Sequence, residues 1–163
     1  MPQAHRLARE GVIAGIIGAT TVALWFLIVD TIQGRPFFTP ALLGAGALSI
    51  FGDTTHDTML THVVMYTIVH YAAFILTGIL FSFVVNKAET EPTVLVIATL
   101  LFIIFELGCY GVTLMLAETE LRGLAWYQIG AANLLAAAAM GYYMWKTHPA
   151  LKEEFAHAMG GNE

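Results

Sequence analysis

Histidine, carboxylate and amide side chains interrupt long apolar runs of this chain. His62, Tyr66 and His70 follow one another at four-residue steps, so a helix would place them on one face. Glu106 and Asn133 each interrupt a separate apolar run. An imidazole beside a carboxylate can share its proton, as the side chains of intramembrane proton relays do. These residue types therefore predict a proton or ligand path.

The depth of these side chains is the second indication. His70, Glu106 and Asn133 lie about 14–16 Å from the outer ends of their runs at the helical rise. Thr20 and Thr21 of the first run fall at a similar depth. We therefore expect one polar midplane cluster. The structural alternative is that each group fixes helix register through an interhelical hydrogen bond, worth about 0.6–2 kcal/mol. Helix rotation decides between the two, and spacing leaves it open.

A second group of candidate ligands precedes and opens the second run. His56, Asp57 and His62 are side chains that zinc or another divalent metal accepts, and Asp53 is near them. Their spacing fits no established metal motif. His56 and Asp57 can equally form the first turn of a helix that Asp53 or Thr55 caps. Both interpretations of these residues stay open: a weak metal site, and the capped first turn of a helix.

Haem or chlorin binding is a further alternative. A haem held inside one bundle usually takes axial ligands from two helices, but both membrane histidines, His62 and His70, lie on one run. This disfavours a bis-histidine haem within a monomer and leaves a chlorin, a haem with one histidine, or a haem shared across a dimer. No cofactor follows from the sequence itself. Catalytic motifs such as a phosphate loop or HExxH are absent, which makes an enzyme the less favoured interpretation.

Four apolar runs position these side chains. Each is long enough to cross a hydrocarbon core, which takes about 20 apolar residues. The chain has 163 residues, 58% apolar and 12% charged, whereas soluble domains average about 25% charged residues. We therefore predict one all-α integral membrane domain, 1–163, with four helices in an up-down bundle. The predicted spans are 11–29, 59–85, 93–116 and 124–145.

The outer connection and the tail complete the predicted layout. Thr39 followed by Pro40 is typical of an N-cap and a first-turn proline, which predicts a short helix over 40–51. That helix is too short to span, so it is either interfacial or re-entrant. The segment 146–163 is expected to be a cytoplasmic tail.

Charge predicts the orientation. Positive residues in short loops favour the cytoplasmic side. Arg35 and Arg122 fall on one side of the four-span layout. The other five fall on the opposite side: Arg6, Arg9, Lys87, Lys146 and Lys152. Both termini are therefore expected in the cytoplasm, with the chain in a bacterial inner membrane.

Small residues predict how the helices pack. Close backbone approach holds membrane helices together, and residues at four-residue steps form flat ridges. We expect both ridges to pack inside the monomer, with a homodimer seam as the alternative. The ridges are Gly11, Gly15, Ala19 and Ala23 in the first run, and Asn133, Ala137 and Gly141 in the fourth.

Three functions follow as hypotheses. The favoured one is a small non-enzymatic multi-pass membrane protein, an accessory or binding subunit of a larger membrane complex, in contact with lipid and with other subunits or itself. The first alternative is a small oligomeric transporter or proton-coupled carrier using Glu106 and His70. The second is a haem- or chlorin-binding redox or pigment protein. The net charge of −5 offers no basic face for nucleic acid.

Overall fold

The structure, a computed structural model, describes residues 2–50, 58–91, 93–94, 96–100, 103–104, 107 and 126–149. His56, Asp57 and Glu106 lie outside these residues, so the predictions that rest on them stay predictions. The secondary structure within the described part is helical, without strands, which confirms the all-α class.

Four helices have defined bounds. They are α1 (Pro2–Ile32), α2 (Phe38–Ile50), α3 (Met59–Ala88) and α4 (Trp126–Thr147). The described residues between 93 and 107 are helical as well. Among the described residues, two helices are long and apolar enough to cross a membrane, the His5–Ile32 portion of α1 and the whole of α3. The prediction of four spans is neither confirmed nor contradicted by these two.

The antiparallel pair α1–α3 is the centre of the fold. Gly11 and Gly15 of α1 lie directly against the backbone of α3 around Gly78. A Cβ at Gly15 would come within 2.6 Å of the Cα of Ile75, and a Cβ at Gly78 would come within 2.8 Å of the Cα of Gly15. Only glycine allows so close an approach. The ridge predicted on α1 therefore packs inside the monomer.

Helix α4 packs on another side of α1, and its buried face corrects the predicted one. Its buried residues are Ala132, Ala136, Met140 and Met144, and the first three lie one position before the predicted Asn133, Ala137 and Gly141. The reason is the bulk that α1 presents, since Val22 and Phe26 pack against Ala132 and Ala136. Gly141 has open space around its Cα in the described part of the chain.

The turn between α1 and α2 is organised by one buried carboxylate. Gly34 and Phe37 adopt left-handed backbone angles, with φ of 72° and 66°. The turn brings Thr39 back to Asp30, which is only 2% exposed. Asp30 accepts the Thr39 amide at 2.7 Å and the Thr39 hydroxyl at 2.8 Å. The predicted capping role of Thr39 is thus taken by Asp30, and α2 begins two residues before Pro40.

The start of α3 also differs from the expected one. Thr58 is the N-cap residue, and its hydroxyl accepts the Thr61 amide at 3.2 Å, whereas Asp53 or Thr55 was expected at that position. Helix α2 lies against the first turns of α3, where a Cβ at Gly44 would overlap the His62 carbonyl. We call this end of the bundle the outer end. The opposite end, with the start of α1 and the last turns of α3 and α4, is the inner end.

Large apolar side chains cover the outward faces of the helices. Leu60, Ile68, Leu76 and Leu80 of α3 are each more than 60% exposed, and Ile28 of α1 is 56% exposed. Water-soluble monomers rarely leave an apolar surface of this extent uncovered. These faces require an apolar cover.

Candidate functional site

His70 is the centre of the interhelical hydrogen bonding between α1 and α3. Its Nε2 lies 3.1 Å from the Ala19 carbonyl of α1, and its Nδ1 lies 3.2 Å from the Tyr66 hydroxyl. A carbonyl only accepts, so Nε2 carries the proton and Nδ1 accepts from Tyr66. The two rings also stack, with centroids 4.9 Å apart. A neutral imidazole thus uses both nitrogens, and the predicted shared face of Tyr66 and His70 is confirmed.

The two mid-helix threonines have different partners. The Thr20 hydroxyl lies 3.0 Å from the Tyr71 hydroxyl of α3, beside the His70 contact. The Thr21 hydroxyl donates at 2.8 Å to Ile17, one turn back in its own helix. Thr20 therefore belongs to the interhelical network, whereas the described bond of Thr21 lies within its own helix, and its place in a midplane cluster stays a prediction.

Two other predicted members, His62 and Asn133, lie on α3 and α4. His62 lies two helical turns nearer the outer end, with its carbonyl against α2. Asn133 is half-buried on α4, one position from the face that packs against α1. The cluster of His70, Glu106 and Asn133 stays a prediction, because Glu106 is outside the described residues.

A cleft of about 230 Å³ opens at the outer end among α1, α2 and α3. Its wall combines hydroxyl groups, the buried carboxylate that caps α2, and apolar side chains; it includes Thr20, Asp30, Phe37, Tyr66 and Tyr71. The cleft is below the usual size of a drug-sized pocket, about 300–1,000 Å³. Such a wall suits water or a small group with hydrogen-bond donors.

A second cleft of about 230 Å³ is almost wholly apolar. It lies between α3, the third apolar run and α4, and Phe81, Ala98, Ala137 and Met140 line it. Ala137 of the predicted ridge thus faces this cleft instead of α1. None of the described lining residues is ionisable, so this part of the wall suits an alkyl group.

An ionisable cluster at the inner end was missed by the sequence analysis. His148, whose side chain is fully buried, has Nδ1 2.7 Å from Glu89 Oε1 and Nε2 3.3 Å from Glu10 Oε2. The Glu10 and Glu89 side chains are only 15% and 21% exposed. Each residue lies just outside an apolar run, and antiparallel packing of α1 against α3 and α4 brings the three together. That shared position at the inner ends of three runs was the only signal in the sequence.

The described residues offer no metal centre. The two nitrogens of His148 face different carboxylates from opposite sides of the ring, so these ligands do not converge on one point. No group of three histidine, cysteine or acidic side chains in the described ranges has the arrangement of a metal site. His56 and Asp57 lie outside those ranges, so the predicted site with His62 is untested.

No protein family, curated protein or solved structure matches the chain. What the molecule does must therefore be argued from its own residues.

Proposed function

We propose that the chain is a four-span integral membrane protein that serves as a non-enzymatic accessory or binding subunit of a larger membrane assembly. The observation that carries this proposal is that both ring nitrogens of His70 already form hydrogen bonds within the chain, to Tyr66 and Ala19. A histidine used in this way holds α1 against α3. It has no free nitrogen for a substrate, a metal or a haem.

The outward apolar faces support the membrane part of the proposal. Leu76 and Leu80 of α3 are 64% and 67% exposed and lie between the inner and outer ends. Hydrocarbon or a neighbouring membrane helix covers such faces at no desolvation cost. Tyr127 and Trp145, near the two ends of α4, are 60% and 41% exposed, which suits aromatic residues at the two interfaces.

The subunit proposal is tested by gentle extraction of the tagged chain from its own membrane, with size and absorption recorded in one run. We expect a colourless species clearly larger than the 17.7 kDa chain in its detergent micelle, with other proteins in fixed ratio. A chain recovered only as a free monomer would contradict the proposal.

A proton-coupled carrier that works as an oligomer is the second candidate. The outer cleft favours it, because Thr20, Tyr66 and Tyr71 line this cleft directly beside the His70 network. On this proposal Glu106 and His70 lie on the proton path. Glu106→Gln then abolishes pH-coupled flux in reconstituted vesicles, while Glu91→Gln, at an exposed inner residue, leaves it intact. Equal pH-coupled flux in the two variants would show that Glu106 does not lie on the proton path.

Haem or chlorin ligation by His70 requires the loss of an existing contact. A metal at Nε2 would displace the Ala19 carbonyl, and a metal at Nδ1 would displace the Tyr66 hydroxyl. The subunit proposal therefore predicts no Soret or chlorin band in the extracted protein. Such a band, lost in His70→Gln and kept in His62→Gln, would establish the pigment alternative instead.

A further inference from the structure

Three helices meet in one buried ionisable contact at the inner end of the bundle. Glu10 comes from α1, Glu89 directly follows α3, and His148 directly follows α4. The His148 side chain is 0% exposed. Glu10 Oε2 and His148 Nε2 are 3.3 Å apart, yet neither makes a hydrogen bond within the described part of the chain.

The contact between His148 and the two carboxylates has more hydrogen-bond acceptors than donors. A neutral imidazole has one N–H donor and one lone pair, and a carboxylate only accepts. If His148 donates from Nδ1 to Glu89 at 2.7 Å, its Nε2 lone pair faces the lone pairs of Glu10 Oε2. Two acceptors at this distance repel each other. One additional proton, on either Nε2 or Oε2, replaces the repulsion with an attraction between His148 and Glu10.

The neighbouring polar groups, Arg6 and Asn86, do not occupy the position of that proton. Glu10 Oε1 is paired with the Arg6 guanidinium at 3.3 Å, and the Asn86 amide is 3.4 Å from Glu89 Oε2. Neither partner reaches the gap between Nε2 and Oε2. With one imidazole and two carboxylates, the contact has a formal charge of −2 without the additional proton and −1 with it.

The other charged groups of this end face elsewhere. Lys87 pairs with Glu91 at 2.6 Å, and Lys146 lies over the Tyr142 ring. The Tyr143 hydroxyl on α4 lies within electrostatic reach of Glu10 and Arg9. In the described ranges, therefore, no cation other than Arg6 pairs with Glu10.

We propose that Glu10, Glu89 and His148 form a proton-binding site that closes the inner end of the bundle. A proton taken from the aqueous side bridges His148 and Glu10, so that all three helices are tied through one imidazole. Release of that proton restores the repulsion and loosens α1 from α4. The site is remote from His70 and the outer cleft, and it does not depend on whether the chain is a subunit of an assembly.

The full chain in detergent micelles or nanodiscs, with ¹⁵N-labelled histidine, provides the direct measurement. We expect the proton between Nε2 and Glu10 to be present at low pH and to be lost when the pH is raised. His148→Gln assigns the resonance. A neutral His148 with one protonated nitrogen across the range, facing an ionised Glu10, would overturn the proposal.

Stability as a function of pH is the second readout. On this proposal the bridging proton stabilises only the folded chain, so stability is greatest at low pH and is lost as pH rises. The unfolding equilibrium constant then changes by up to about tenfold per pH unit over the release range. Glu10→Gln removes this dependence while keeping the low-pH stability, because the amide N–H donates to the Nε2 lone pair without an added proton.

Matched controls separate the site from general effects. Glu91→Gln alters an exposed glutamate two residues from Glu89, and His5→Gln alters an exposed histidine of α1 at the same end. Both variants should keep the wild-type pH profile. A Glu10→Gln profile that is indistinguishable from the Glu91→Gln profile would overturn the proposal, even if His148→Gln does not fold.

Discussion

At the residue scale, several polar side chains of the described helices form hydrogen bonds with a neighbouring helix. His70 bonds to Tyr66 and Ala19, and Asp30 bonds twice to Thr39. In a medium without water, each such group is costly when unpaired, which favours pairing inside the chain. His70, one of the residues that suggest a proton path, therefore also holds α1 against α3.

Removal of the Tyr66 hydroxyl tests this role. Tyr66→Phe loses the hydrogen bond to His70 but keeps the ring stack, so we expect a loss of about 0.6–2 kcal/mol in the free energy of unfolding. The control is Tyr142→Phe, at a ring that is 62% exposed, which should change nothing. Unfolding in micelles gives the change in unfolding free energy for both variants, and equal changes would show that the Tyr66 hydroxyl contributes no stability.

Sequence spacing reveals pairs on one helix more readily than pairs between helices. Tyr66 and His70 are four residues apart, so helical geometry predicts their contact. Glu10, Glu89 and His148 belong to three separate segments, and only the packing of α1 against its two neighbours brings them together. Asp30 was likewise missed as the partner of Thr39, because two left-handed residues in the turn reverse the chain between them.

At the element scale, glycine determines how closely α1 approaches α3. A methyl group at Gly15 would come within 2.6 Å of the Ile75 Cα, and backbone cannot yield as a flexible side chain does. The ridge on α1 could be predicted because four small residues recur at one step. The face of α4 could not, since 132/136/140/144 and 133/137/141 are equally regular, and the bulk of Val22 and Phe26 decides between them.

Gly15→Ala is the matching prediction for this contact. The added methyl forces α1 and α3 apart, which should cost about 1–3 kcal/mol of unfolding free energy, as overpacking does in cores. Gly141→Ala is the control, because the space around Gly141 is open and alanine favours a helix by up to about 1 kcal/mol. A Gly15→Ala variant as stable as Gly141→Ala would mean that the helices are not held at this distance.

At the scale of the whole molecule, the apolar outward faces and the paired interior suit a protein surrounded by hydrocarbon. Composition was enough to predict an all-helical chain, because 58% apolar residues in long runs leave little alternative. Two helices in the described part of the chain meet the requirements of a span, and the four-span bundle remains our proposal. The apolar surface does not reveal the function, because lipid-facing residues indicate the surrounding medium and do not identify a partner protein.

The orientation can be checked with single cysteines in a chain whose only native cysteine, Cys109, is replaced by serine. Gln33 and Thr90 are both exposed and lie at opposite ends of the bundle. With both termini cytoplasmic, an impermeant thiol reagent labels Gln33→Cys in intact cells and labels Thr90→Cys only after permeabilisation. The opposite pattern would reverse the orientation, and labelling of both from outside would contradict a span in α3.

Native mass spectrometry of the chain, released directly from its own membrane, tests the central claim most directly. The subunit account predicts a colourless complex whose mass is not a whole multiple of 17.7 kDa, because other proteins contribute to it. A mass equal to one chain, or to a whole number of copies of this chain alone, would contradict that account.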